Sequence, residues 1–316
     1  MSANPKLAAA VDEFLRSCQA DMLSDATIRW YQQRLIAFRS AMGDVRLKEI
    51  SSAGLRSYII GLSSRDVRFA NARQRPCIDG GLSPDTLRGH IRALRRFFTW
   101  SAAEYRMSTG ANPMQTIRLT RRGRPEPKAV KLCDVALLMQ NTTDDPFGKR
   151  DRAILAFLID TGCRANGLLT LRLADVDLDA GRASVTEKGN RSRLVAFVPR
   201  TADYLRDWSE VRPVEASTFF CALGSNTAGA ALTLSGLHSI IRRLKRRAGI
   251  EGRTNPHSFR HAYAREWLRA GGDLGNLSVS MGHSDPSVTL SSYGIFTDEE
   301  ALNSHAQFSP MNRIQL

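Results

Sequence analysis

The chain has 316 residues, 42% of them apolar, and carries 45 Lys and Arg against 31 Asp and Glu, a formal net charge of +14. That length allows two domains of ordinary size with real hydrophobic cores. Five scattered cysteines (Cys18, Cys77, Cys133, Cys163, Cys221) form no C-x-x-C pair, which argues against a disulfide framework and a zinc site. No run approaches the length of a membrane span, and the N-terminus lacks the apolar stretch of a signal peptide. The expectation is a cytoplasmic protein in a reducing compartment. Basic charge is in excess on both sides of residue 120, so nucleic acid is the simplest polyanionic partner. On charge alone, an ordinary basic protein remains the alternative.

The first ~110 residues read as helices. Leu7 to Cys18 has Val11, Phe14 and Leu15 at helical spacing. Ser24 is an N-cap for a second helix reaching about Met42, with Ile28, Leu35, Ile36 and Phe38 on its buried side. A short helix follows from about Ser52 to Leu62, then a polar, Arg-rich loop from Ser63 to Gly81. Ser83-Pro84-Asp85 opens a long helix with a cap, a first-turn proline and an acid at the positive dipole end. Its apolar stripe is Leu87, Ile91, Leu94 and Phe98, while Arg88, Arg92, Arg95 and Arg96 cluster away from it without an interleaved acid. Such a run is either a solvated face or a phosphate contact. Residues 119–131, with Arg121 and Arg122, are rich in Pro, Gly and basic side chains and read as a linker able to lie against DNA.

The second part is mixed. A buried helix runs from Asp151 to Ile159 and ends at Thr161-Gly162; another follows Arg164 to about Leu171. Arg182–Val185 and Leu194–Val198 read as the strands of a hairpin turning at Lys188-Gly189-Asn190. Further helices cover about Thr201–Glu210, Ser235–Ala248, His257–Ala270, Leu274–Met281 and Pro286–Tyr293. The Ser235 helix carries a dense basic group that includes Arg242 and Arg243.

Three short segments carry candidate chemistry. Thr161-Gly162-Cys163-Arg164 sets an arginine just after a helix-ending glycine. Alone it reads as a surface residue. In Asn255-Pro256-His257-Ser258-Phe259-Arg260-His261, His257 and Arg260 lie three apart at a helix start, where a phosphate site would use them. His257 and His261 could suggest a metal, but the glutamate of H-E-x-x-H is missing and a third ligand is not evident. Met281-Gly282-His283 is followed ten residues after His283 by Tyr293. Most tyrosines are packing residues, and Tyr293 is singled out only by what precedes it.

In order and approximate spacing, T-G-x-R around Arg164, Lys188 in a hairpin turn, H-x-x-R from His257 to Arg260, G-H around His283 and the trailing Tyr293 resemble the tyrosine recombinases of the phage integrase type. The resemblance spans roughly the whole chain. It implies a mostly α fold with a small β-hairpin or sheet in its C-terminal part. An N-terminal helical core-binding (SAM-like) domain would occupy residues 1–118, the basic linker 119–131, and an α+β catalytic domain with a C-terminal tail 132–316. It further implies cleavage and rejoining of DNA through a 3′-phosphotyrosyl link made by Tyr293, and a Holliday junction. Arg164 and Arg260 would grip the phosphate, Lys188 would protonate the leaving oxygen, His257 would take the phenol's proton or hold the phosphate, and His283 would donate a hydrogen bond. Neither metal nor other cofactor is implied. The partners would be double-stranded DNA bearing specific recombination sites and further copies of the chain, as a tetramer on DNA. Arg88, Arg92, Arg95, Arg96, Arg121, Arg122, Arg242 and Arg243 are the candidate DNA contacts.

One position departs from the pattern. The family usually has an acid three residues after the first arginine, where this chain has Gly167. Either another acid takes its place, Asp175 being a nearby candidate, or the enzyme is slow. The alternatives to recombination are a type IB topoisomerase-like strand transferase, a DNA-binding protein of the same fold that has lost catalysis, and a metalloenzyme built on His257 and His261.

Overall fold

The computed structural model describes residues 4–68, 78–108, 110–118, 129–187, 191–282 and 285–293. The chain divides into two units, Met1–Gly123 and Arg124–Leu316. In the first, α1 (Leu7–Ala20), α2 (Asp25–Met42), α3 (Ser52–Ser63) and α4 (Pro84–Glu104) surround one core. The side chains of Ser24, Ser51 and Ser83 accept from the backbone N–H of Thr27, Gly54 and Thr86, satisfying donors that the first turns of α2, α3 and α4 leave open. Phe14 of α1 meets Tyr31, Phe97 and Trp100 edge-on at 5.3, 5.6 and 5.4 Å, tying α1 to α2 and α4. Burying each such ring contributes about 2 kcal/mol.

Two sequence expectations change here. Ile36 is exposed, because Leu35 and Phe38 hold the buried stripe of α2 and their neighbour is turned off it by the helical step. The stretch from Ser63 to Gly81, expected as a loop, contains an antiparallel ladder, β1 (Val67–Arg68) with β2 (Ile78–Asp79). Strands of two residues are too short to leave a period in the sequence.

The second unit contains α5 (Leu132–Gln140), α6 (Pro146–Thr161), α7 (Ala165–Leu169), β3 (Val176–Asp177), β4 (Arg182–Glu187), β5 (Arg191–Ala196), α8 (Pro199–Val211), α9 (Leu234–Arg247), α10 (Pro256–Arg269), α11 (Leu274–Met281) and α12 (Pro286–Tyr293). Among the described residues the strands form an antiparallel sheet in the order β3-β4-β5. The fold is thus mostly helical, with a small three-stranded sheet among the described residues of the second unit, as the resemblance implied. No described helix is long and apolar enough to cross a membrane. α6 lies at the centre, packed against α5, α8 and α10, which is why Ala153 through Leu158 are all buried.

α6 begins at Pro146 rather than Asp151. Asp145 caps it by accepting from the Gly148 N–H at 2.8 Å, and proline occupies the first turn. α5 had no counterpart in the sequence reading. Val130, placed in the expected linker, is buried in the core of the second unit, and its N–H donates to the Ser258 carbonyl at 3.1 Å. The rest of that linker, residues 119–128 with Arg121 and Arg122, lies outside the described residues.

Candidate active site

α6 delivers the first arginine. Gly162 ends the helix in the left-handed region at φ 56°, and a Cβ there would fall 2.3 Å from Cδ1 of Tyr263. Arg164, two residues on, is the N-cap of α7 and remains partly exposed. The second arginine, Arg260 on α10, is only 3% exposed. Its two terminal nitrogens donate to the carbonyls of Gly162 and Met281, each at 2.7 Å. Those carbonyls close α6 and α11, the negative ends of two helices, so a buried guanidinium is held where cations are favoured. Burial, then the nearby Arg164, bring the Arg260 pKa down to about 10, which leaves it charged at neutral pH.

Glu187, the last residue of β4, joins the two. It is 6% exposed. It pairs with the Arg164 guanidinium and accepts from the Arg164 backbone N–H at 3.3 Å. It also accepts from Arg193 of β5 at 3.0 Å and lies 3.9 Å from Nη1 of Arg260. Arg193 in turn donates to the Ser280 carbonyl next to the end of α11. The closing glycine of α11, Gly282, has φ 64°, and a Cβ on it would come 2.7 Å from Cδ of Arg193.

The expectation for Asp175 is corrected. Its carboxylate accepts from the Arg172 N–H at 3.0 Å as a local cap of the 3₁₀ turn Leu173–Asp175, while the acid at Arg164 and Arg260 is Glu187. Glu187 and Arg193 were missed in the sequence. A signal was available: Ala183, Val185 and Glu187 are successive inward positions of β4, so strand alternation puts an acid on the buried face.

Tyr293 ends α12 and is 9% exposed, packed with Ala264, Leu277 and Met281. Burial raises its pKa above the ordinary phenol value, while the charges of Arg260 and Arg164 pull it back. Its ring meets His261 at 5.4 Å, and His261 meets His257 at 4.2 Å. Burial lowers the pKa of His257, with Arg260, Arg164 and Arg253 adding to the effect. Burial, His257, Arg260 and Arg253 lower His261 to about 4. At neutral pH both imidazoles are therefore neutral and able to accept a proton, and the His261 ring meets a phenol that still holds one. His261 entered the sequence reading only as half of a metal pair, and its contact with Tyr293 was not foreseen.

Arg164, Arg260, His257 and Tyr293 are thus brought together. Lys188 and His283 lie outside the described residues. On α4, Arg92 is exposed and Arg88 half-buried. Arg95 is exposed but donates to the Ile117 carbonyl at 2.9 Å, and Arg96 lies 3.9 Å from Asp21. On α9, exposed Arg242 lines a cleft of about 260 Å³ with His238, Lys245 and Arg253. Half-buried Arg243 pairs through its guanidinium with Asp151, a carboxylate of α6 that is 1% exposed.

Residues 130–299 match the phage integrase family. The chain belongs to this family, the tyrosine recombinases. It is 30% identical over 284 residues to tyrosine recombinase XerC of Xanthomonas campestris pv. campestris (strain B100), covering 89% of this chain and 82% of that one. It is 32% identical over 276 residues to tyrosine recombinase XerD of Listeria monocytogenes, covering 84% and 87%. Among solved structures, the Tn1549 transposon integrase in complex with circular intermediate DNA superposes with a TM-score of 0.74 at 17% identity, covering 96% of this chain and all of that one. As a tyrosine recombinase the chain is a DNA strand transferase that acts by site-specific recombination.

Proposed function

We propose that Tyr293 is the nucleophile of this recombinase and that Arg164 and Arg260 grip the phosphate it attacks. The phenol oxygen bonds to phosphorus, the bond from phosphorus to the 5′-oxygen breaks, and a 3′-phosphotyrosyl link remains. His257 takes the phenol's proton, and Lys188 gives one to the leaving 5′-oxygen. His283 donates a hydrogen bond to the phosphate. The 5′-hydroxyl of a partner strand reverses the step, so the energy of the ester is conserved and no external energy source is needed. Exchange of one strand pair and then the other passes through a Holliday junction within a tetramer on double-stranded DNA. The N-terminal helical unit serves as the core-binding DNA clamp and the second unit as the catalytic domain.

The observation that carries this reading is the meeting of Arg164 and Arg260 on Glu187, with the Tyr293 phenol in the field of both. Positive charge is fixed in advance where the phosphorane gains negative charge. The recombinase relatives weigh against a topoisomerase, which would form no Holliday junction. The retained nucleophile and arginines weigh against a binding-only protein. A substrate nicked beside the cleavage point traps the covalent intermediate. Tyr293→Phe is expected to abolish that adduct and to leave DNA binding within a few-fold, since only the attacking oxygen is lost. An adduct of full yield would identify another nucleophile.

A further inference from the structure

We infer that Glu187 is the positioning carboxylate of the active site, supplied from strand β4 beside Gly167 of α7. The inference rests on the function proposed above and adds a residue to it. Among the described residues, the guanidiniums of Arg164, Arg193 and Arg260 come from three different elements and converge on this one acid. Without it, like charges would face one another across a partly buried site and splay apart. With it, Arg164 is fixed twice, through its side chain and its backbone N–H, so the first residue of the phosphate grip has a defined direction.

The geometry explains why the acid can stand on the strand. A Cβ built at Gly167 lies 3.3 Å from Cβ of Val185 and 3.7 Å from Cγ of Glu187. Position 167 and the Glu187 side chain therefore adjoin one small volume, which holds one carboxylate. An acid on α7 and Glu187 on β4 would crowd each other and place two negative charges together. The two positions are alternative sources of the same charge. Glu187 also directly precedes Lys188 in the chain.

The test is single-turnover cleavage of the nicked substrate by the full chain, with thermal unfolding and DNA binding measured alongside. Glu187→Gln keeps the shape and removes the charge. It is expected to slow adduct formation at least tenfold, with DNA binding within a few-fold. Glu187→Asp, which keeps the charge, is expected to recover part of that loss. Glu187→Gly should be similarly impaired, and Gly167→Glu alone should be impaired by crowding. The exchanged pair, Gly167→Glu with Glu187→Gly, should cleave at least tenfold faster than Glu187→Gly. A folded Glu187→Gln protein cleaving at the parental rate overturns the proposal, and so does an exchanged pair that fails to fold or shows no recovery. If Glu187→Gln itself does not fold, the exchanged pair decides the matter alone. Tyr293→Phe run in parallel separates the two claims: an adduct from that variant sinks the nucleophile assignment, whatever Glu187 does.

Discussion

Three guanidiniums around one carboxylate leave the group of Arg164, Arg193, Arg260 and Glu187 with a surplus of two positive charges. A phosphodiester brings one negative charge and the phosphorane formed on attack carries about two, so the surplus matches the transition state better than the ground state. Two of these charges, Arg260 and Arg164, also act on His257. Because Arg164 lowers the His257 pKa, Arg164→Gln removes a penalty on protonation, and that pKa should rise toward the ordinary value near 6.5. Histidine ring signals followed by NMR titration read this directly; a pKa that stays put or falls would place Arg164 out of electrostatic reach of His257. In the parent the proton-accepting form of His257 should be lost only as pH falls below that ordinary value. Tyr293, the two arginines and this histidine were legible as candidates in the sequence because each belongs to a short motif or follows one. Glu187 was not, since its partners are on α7, β5 and α10, and an acid at a strand end looks solvated until the fold buries it.

The helices place these groups because their ends are stopped sharply. Left-handed Gly162 and Gly282 end α6 and α11, and the carbonyls freed there become the sockets for Arg260 and Arg193. α6 is also fastened to α9. Asp151 accepts from Arg150 on its own helix at 2.8 Å and pairs with Arg243 of α9. Asp151→Asn would leave Arg150, which is equally buried, without its counter-charge, and is expected to cost about 3 kcal/mol of stability. The measurement is the urea midpoint at neutral pH, and an unchanged midpoint would show that the pair is not needed. Capping signals made most helices legible, among them Ser83-Pro84-Asp85 of α4. The same signal at Asp145-Pro146 went unread because Asp144-Asp145-Pro146-Phe147-Gly148 also has the composition of a turn. The pairing of Arg243 with a residue 92 positions away leaves no mark in the local sequence.

Basic charge in both units fits one long polyanion touched at many points. If α4 contributes phosphate contacts, replacing Arg88 and Arg92 together with alanine should weaken DNA binding. It should also reduce the slope of log affinity against log salt by about two, roughly one per lost contact. An unchanged slope would return that face of α4 to solvent.

By itself the chain determined its mostly helical architecture and the caps and motifs that single out its candidate residues. These follow from backbone sterics, caps and apolar periods, all of which act within a few residues. Only the tertiary structure decided which acid gathers the arginines and which arginine is spent on Asp151. It also decided which imidazole meets the Tyr293 ring. Each of those outcomes depends on charges and rings from distant segments competing for the same buried space, where an unpaired ion is too costly to leave alone.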